Sequence, residues 1–318
     1  MPVPTADDRW TLPEPGSRYP LALLGRGIEP EQASVRFFGI LAIVIGVAGY
    51  SITSTSVNLG VEWLGWVIDG RNGSLTDYAT RSSAFETVAG FVAANLASGS
   101  AMLVVFGLLR LLHRRRATWI WSVSPGVRWR FLLACFLVGV VVLVGFQFLI
   151  SGVPALKPQP DIAAFVVAIL ITSPIQAAAE EVLFRGYLMQ ALGLVWRREW
   201  FAVVGSALLF ALFHGTQNLP LFFHRFCFGL LMGALVWRTG GLEASIGAHI
   251  ANNLGAFLWA ALTTSVAQAR AIQELTWVGA GEEIAAFAVF ALVAWWIAGR
   301  MRVRATVGTG LSHARSLR

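Results

Sequence analysis

Eight runs of mainly apolar residues, most of them about as long as a bilayer is thick, limit what this chain can fold into. They lie at about 35–57, 85–112, 130–151, 162–191, 200–217, 219–237, 243–262 and 283–299. A helix needs roughly 20 apolar residues to cross the hydrocarbon core, and lipid offers no partner to a backbone that does not satisfy itself. The predicted fold class is therefore all-α, a polytopic integral membrane protein with about eight transmembrane helices. Composition agrees: 56% of the 318 residues are hydrophobic, 13% are charged and mean hydropathy is +0.67. A soluble domain of this size carries about 25% charged residues. The 13 Trp and 32 Gly suit membrane interfaces and close helix packing.

The runs divide the chain into a polar segment over 1–33, a membrane domain over 34–300 and a basic tail over 301–318. The first segment is Pro-rich and lacks an apolar core after a basic start, so the first apolar run is expected to stay as an anchor, not to leave as a signal peptide. The fourth run is too long for a simple span and contains Pro174, which predicts a kink or break followed by a helix from Ala177 to Leu192. Asn218-Leu219-Pro220 separates the fifth and sixth runs as a turn. Gly229 and Gly233 form a small-xxx-small face for close helix approach. No internal repeat is visible, so inverted-repeat transporters gain no support.

The net charge of +7 comes from basic residues at the ends of apolar runs, not from a stripe with interleaved aromatics, and no nucleic-acid partner is expected. Cys135 and Cys227 both fall inside apolar runs, which predicts buried thiols and excludes a disulfide framework or a CxxC metal site. Lys and Arg set orientation. With the N-terminus in the cytoplasm, 18 of the 24 basic residues fall on the cytoplasmic side, among them Arg9, Arg26, Arg315, Arg318 and the Arg114-Arg115-Arg116 run. Arg71, Arg81, Lys157 and Arg270 fall on the other side, and Arg185 and Arg225 within spans. Both termini are expected in the cytoplasm. The Arg-rich composition, with a single Lys, points to a prokaryotic plasma membrane.

Charged groups within a spanning helix are costly and mark functional candidates. Glu180-Glu181-Val182-Leu183-Phe184-Arg185 is the densest cluster. Glu181 and Arg185 are four apart and share a helix face, as an internal ion pair or as part of a site. Glu180 lies about 100° around the helix, without a local cation, and suits a general base. Phe210 to His214 closes the fifth run, and His249 and Asn253 share a face of the seventh. A base with a pair of donors for a developing oxyanion supplies what amide hydrolysis by activated water needs. Glu180, His214 and His249 could instead ligate zinc, although no HExxH helix is present; metal-free activation is favoured. The expected cavity lies between the fourth, fifth, sixth and seventh runs, is water-filled and opens toward the cytoplasm. Gln176 is a candidate lining residue, His224 and Arg225 read as interfacial, and Asn252 as structural.

At these residues the sequence resembles the CAAX prenyl protease type 2 and bacteriocin-processing membrane protease family, called CPBP or Abi. The pattern EExxxR, FxxxH and HxxxN is met by Glu180-Glu181…Arg185, Phe210…His214 and His249…Asn253, and Arg238-Thr239-Gly240-Gly241-Leu242 resembles the approach to the third motif. The resemblance covers about 160–262. It implies that Glu180, assisted by His214, activates water while His249 and Asn253 stabilise the oxyanion. It also implies that Glu181 and Arg185 hold the site together and that Phe210 packs beside it. The function expected is an intramembrane endopeptidase acting on a membrane-associated peptide or protein, with the bilayer as the other partner. A non-catalytic immunity or scaffold protein of the same fold, and a transporter or proton pathway, are the alternatives.

Overall fold

The computed structural model describes residues 11–25 and 33–308. The expectations for residues 1–10, 26–32 and 309–318, among them the placement of Arg9, Arg26, Arg315 and Arg318, lie outside the described residues.

Among the described residues the protein is helical, with isolated bridges but no strand. The first long helix, α1, runs Ala33–Ile68. A short α2 (Leu75–Ser83) follows, capped by the Ser74 hydroxyl accepting from Asp77 N–H. Helices α3 (Val88–Gly99) and α4 (Ala101–Leu111) form one run, and Thr87 caps its start. Next, α5 (Trp129–Gly139), a π-helical turn Val140–Val144 and α6 (Gly145–Ser151) are continuous. The longest motif-bearing run joins α7 (Ile162–Glu181), a π-helical turn Val182–Leu188 and α8 (Met189–Val195). Then come α9 (Glu199–Leu212), α10 (Leu219–Thr239), α11 (Glu243–Thr263), α12 (Val266–Arg270) and α13 (Trp277–Arg300).

Six of these runs are long and apolar enough to cross a membrane: Ala33–Ile68, Val88–Leu111, Trp129–Ser151, Ile162–Val195, Leu219–Thr239 and Trp277–Arg300. The count of eight is not reached on that measure. At 14 residues α9 is shorter than the ~20 that a span needs. In α11, Glu243, His249, Asn252 and Asn253 lower the hydropathy of a helix that is otherwise long enough. The fourth run is not interrupted at Pro174, which lies inside α7. Its irregularity comes later, where one wider π turn carries Arg185, a device that re-aims side chains and often accompanies functional sites. The Asn218 turn is present; its side chain accepts from Leu221 N–H and Pro220 sits in the first turn of α10, where a missing N–H costs nothing.

The loops gather on two faces. On the first, Val123 N–H donates to the Gly240 carbonyl, Leu242 N–H to that of Trp121 and Val307 N–H to that of Ser17. Residues 11–25 lie on this face, with Tyr19 and Pro20 buried and the Tyr19 hydroxyl donating to the Ile120 carbonyl. Part of the segment read as merely polar thus packs under the bundle. Arg128 clasps the same face, making an ion pair with Glu243 at the start of α11 and donating to the Thr239 carbonyl at 2.9 Å. On the second face, Gln159 N–H donates to the Ala261 carbonyl and Asn218 N–H to that of Gln273.

Small residues set two helix crossings. A Cβ at Gly229 would meet the Ala207 backbone of α9 at 2.9 Å, and one at Gly233 would press on Val203 and Met189, so the expected close approach is present. At Gly247 a Cβ would lie 2.8 Å from the Phe136 nitrogen, which brings α11 onto the backbone of α5. Cys135 is buried and Cys227 half-buried.

Candidate active site

The polar motifs meet below a cavity of about 850 Å³ reaching in from the second face. Glu180, His214, His249 and Asn253 all line it, although they come from α7, the end of α9 and α11. The Phe210 ring contacts both histidines, its centroid 4.5 Å from His214 and 6.0 Å from His249.

Beneath the cavity floor lies a charged cluster. Arg185 donates to Glu181 Oε1 at 2.9 Å, with both side chains fully buried. His249 Nδ1 meets the same oxygen at 2.8 Å, so this nitrogen carries the proton, since a carboxylate oxygen in an ion pair can only accept. The other ring nitrogen, Nε2, then faces Glu180 Oε2 at 3.7 Å. Glu181 therefore fixes both the Arg185 guanidinium and the His249 ring, and Glu180 is left toward the open space. The four-residue spacing gave Glu181–Arg185; the Glu181–His249 pairing spans 68 residues and has no local signal.

Aromatic rings complete the floor. Arg185 lies over the Phe210 ring at 3.9 Å and the Phe228 ring at 5.4 Å, which offsets part of the cost of burying its charge. Phe228, on α10, also packs edge-on to His249 at 5.3 Å; sequence reasoning did not single it out. His214 Nδ1 donates to the Phe210 carbonyl at 2.7 Å, which leaves its Nε2 as an acceptor in the neutral ring.

Gln176 lines the cavity and accepts from Asn253 Nδ2 at 2.7 Å, while Asn253 accepts from Asn252 at 3.2 Å. Asn252, read as structural, thus borders the cavity and holds Asn253. His224 and Arg225 line it as well, where an interfacial place was expected; Arg225 donates to Gln217 Oε1 at 2.6 Å. Tyr50 of α1 and Asn95 and Ser98 of α3 add walls from the part of the chain without motifs.

The cavity opens among the second-face loops. Its wall includes Ser83 to Phe85, Gly215 and Thr216, and Ala269 to Gln273, all from second-face segments, and none from the first-face turns at 112–128, 196–198 or 240–242. The mouth is on the face opposite the clustered Arg residues. His249 lies nearer to the first-face end of α11, where Glu243 starts the helix, than to its second-face end. Glu181 and Arg185 seal that side.

Among the described residues no group of three or more His, Cys, Asp or Glu is arranged to hold a metal ion.

Residues 162–255 match the family described as type II CAAX prenyl endopeptidase, Rce1-like. The match supports the CAAX protease, or CPBP, family for the region that carries all three motifs. The chain is also 34% identical over 100 residues to the uncharacterized protein YyaK of Bacillus subtilis (strain 168). That alignment covers 27% of this chain and 31% of the relative, so the chain spans about a third of the curated protein it matches.

Proposed function

We propose that this integral membrane protein is an endopeptidase that hydrolyses a peptide bond of a membrane-associated protein or peptide inside the cavity. The observation that carries the reading is the convergence of Glu180, His214, His249 and Asn253 from three helices on one cavity. In the proposed step Glu180 takes a proton from water, whose other hydrogen bond goes to the free Nε2 of His214. The water oxygen bonds to the scissile carbonyl carbon, and the oxyanion accepts from His249 Nε2 and the Asn253 amide. Donation through Nε2 needs the doubly protonated ring, the form in which Glu180, Glu181, Arg185 and His249 together carry no net charge. The carbonyl re-forms, the C–N bond breaks and Glu180 returns its proton to the leaving amine. Glu181 and Arg185 act as positioning residues in this scheme, and Phe210 separates the two imidazoles.

The test compares peptide termini in membranes of cells carrying the wild-type chain and Glu180→Gln at equal abundance. Loss of a general base costs about 10²- to 10⁴-fold, so termini made by this chain should vanish. An unchanged set of termini would overturn the proposal and favour the immunity or scaffold reading. Asn253→Ala removes one oxyanion donor and should lower the turnover of the same products about 10²- to 10³-fold. Treatment with 1,10-phenanthroline runs alongside: inhibition reversed by zinc would select the metal-bound arrangement of Glu180, His214 and His249, and undiminished turnover the metal-free one.

A further inference from the structure

We infer that the cavity opens on the extracytoplasmic side of the membrane and takes an extended stretch of polypeptide presented from that side. The substrate half of this inference rests on the protease reading; the orientation stands without it. Two independent observations meet here. The first is the distribution of Arg over the two faces. The first face carries Arg110, Arg114, Arg115, Arg116, Arg128 and Arg130 around one connection, Arg197 and Arg198 in the next, Arg238 at the third and Arg300, Arg302 and Arg304 after α13. The connections of the second face carry Arg71, Arg81, Lys157 and Arg270. Short connections rich in Lys and Arg stay in the cytoplasm, because translocating them is disfavoured. That bias assigns the first face to the cytoplasm.

The second observation is the mouth. Every loop segment in the cavity wall belongs to the second face. Arg270, one of the few second-face cations, lines this mouth together with Arg225 from the start of α10, so its place there has a use other than topology. The cytoplasmic side of the site is closed by the buried Glu181–Arg185–His249 cluster and by the Arg128–Glu243 pair at the start of α11. A polypeptide arriving from the cytoplasm would have to pass through packed charged groups and the turns above them. One arriving from outside meets an open cavity that leads to Glu180.

Single cysteines test this in a chain with Cys135 and Cys227 replaced by Ala. Gln273→Cys stands at the mouth, and Thr118→Cys lies exposed on the first face. A membrane-impermeant maleimide should label Gln273→Cys in intact cells and Thr118→Cys only after permeabilisation. The reverse pattern, or labelling of Thr118→Cys in intact cells, would overturn the orientation. The substrate half is read from the termini lost in Glu180→Gln: they should map to extracytoplasmic segments, and mapping to cytoplasmic segments would overturn it. If no termini are lost while the labelling holds, the protease reading falls and the orientation stands.

Discussion

Adjacent carboxylates on one helix have different partners here, and that difference decides what each substitution does. Glu181 neutralises a fully buried Arg185 and holds His249, whereas Glu180 faces the cavity. Removing one member of a buried pair leaves an uncompensated charge, at a cost of about 3–5 kcal/mol. Glu181→Gln should therefore lower the detergent-solubilised Tm by many degrees, while Glu180→Gln leaves it near the wild-type value. Equal shifts for the two would remove the distinction drawn between them. A second residue-scale effect lies on the first face. Burial, with Arg115 nearby, lowers the pKa of His113 to about 4. Because the folded state holds the ring neutral, the unfolded chain binds the extra proton as pH falls below about 6.5. The contribution to stability is complete above that pH and lost progressively toward pH 4. His113→Gln, which can keep a contact with the Tyr187 hydroxyl now 3.1 Å away, should flatten the fall in Tm between pH 6.5 and 4.5. At this scale the sequence displayed what local spacing can display. Glu181 and Arg185 were legible four apart, but the tie from Glu181 to His249 depends on the packing of two helices and was not.

Helix α11 carries half of the proposed chemistry and owes its position to a glycine. At Gly247 even a methyl group would push on the α5 backbone, at the Phe136 nitrogen and the Cys135 carbonyl carbon. Gly247→Ala should cost about 1–3 kcal/mol through overpacking and should shift His249, two residues on. Gly281, in α13, meets nothing within 4 Å, and Gly281→Ala should be neutral or stabilise by up to about 1 kcal/mol. Thermal unfolding of the two variants in one detergent checks the contrast; similar losses would show that the α5–α11 contact is not set at Gly247. The elements themselves were largely legible, because an apolar run of membrane length has few alternatives to a helix. The misreadings have physical causes. Pro174 suggested a break, yet a long helix absorbs one missing N–H, and its irregularity appears instead as the π turn over Val182–Leu188, which no residue pattern announces. Polar residues make α11 look less like a span because His249, Asn252 and Asn253 face a cavity rather than lipid and Glu243 pairs with Arg128.

Across the whole molecule, one end is closed by side chains and turns while the other is open, and the proposed base lies at the bottom of the opening. The mouth lies among the second-face loops, and no pattern along a single helix carries information about which loops leave space between them. A cavity of about 850 Å³ with Glu180 in its wall is too small for a folded domain, so the proposed substrate enters it as a short stretch of chain. In the proposed protease reading, a bond reaches Glu180 only when the segment around it has already come loose from its own structure. For such an enzyme the rate at a given bond follows the fraction of time that bond's neighbourhood is unfolded, when opening is fast relative to cleavage. Each ~1.4 kcal/mol of local stability in the target then slows cutting about tenfold. Selectivity would lie as much in the stability of the substrate as in any contact the cavity makes with its side chains.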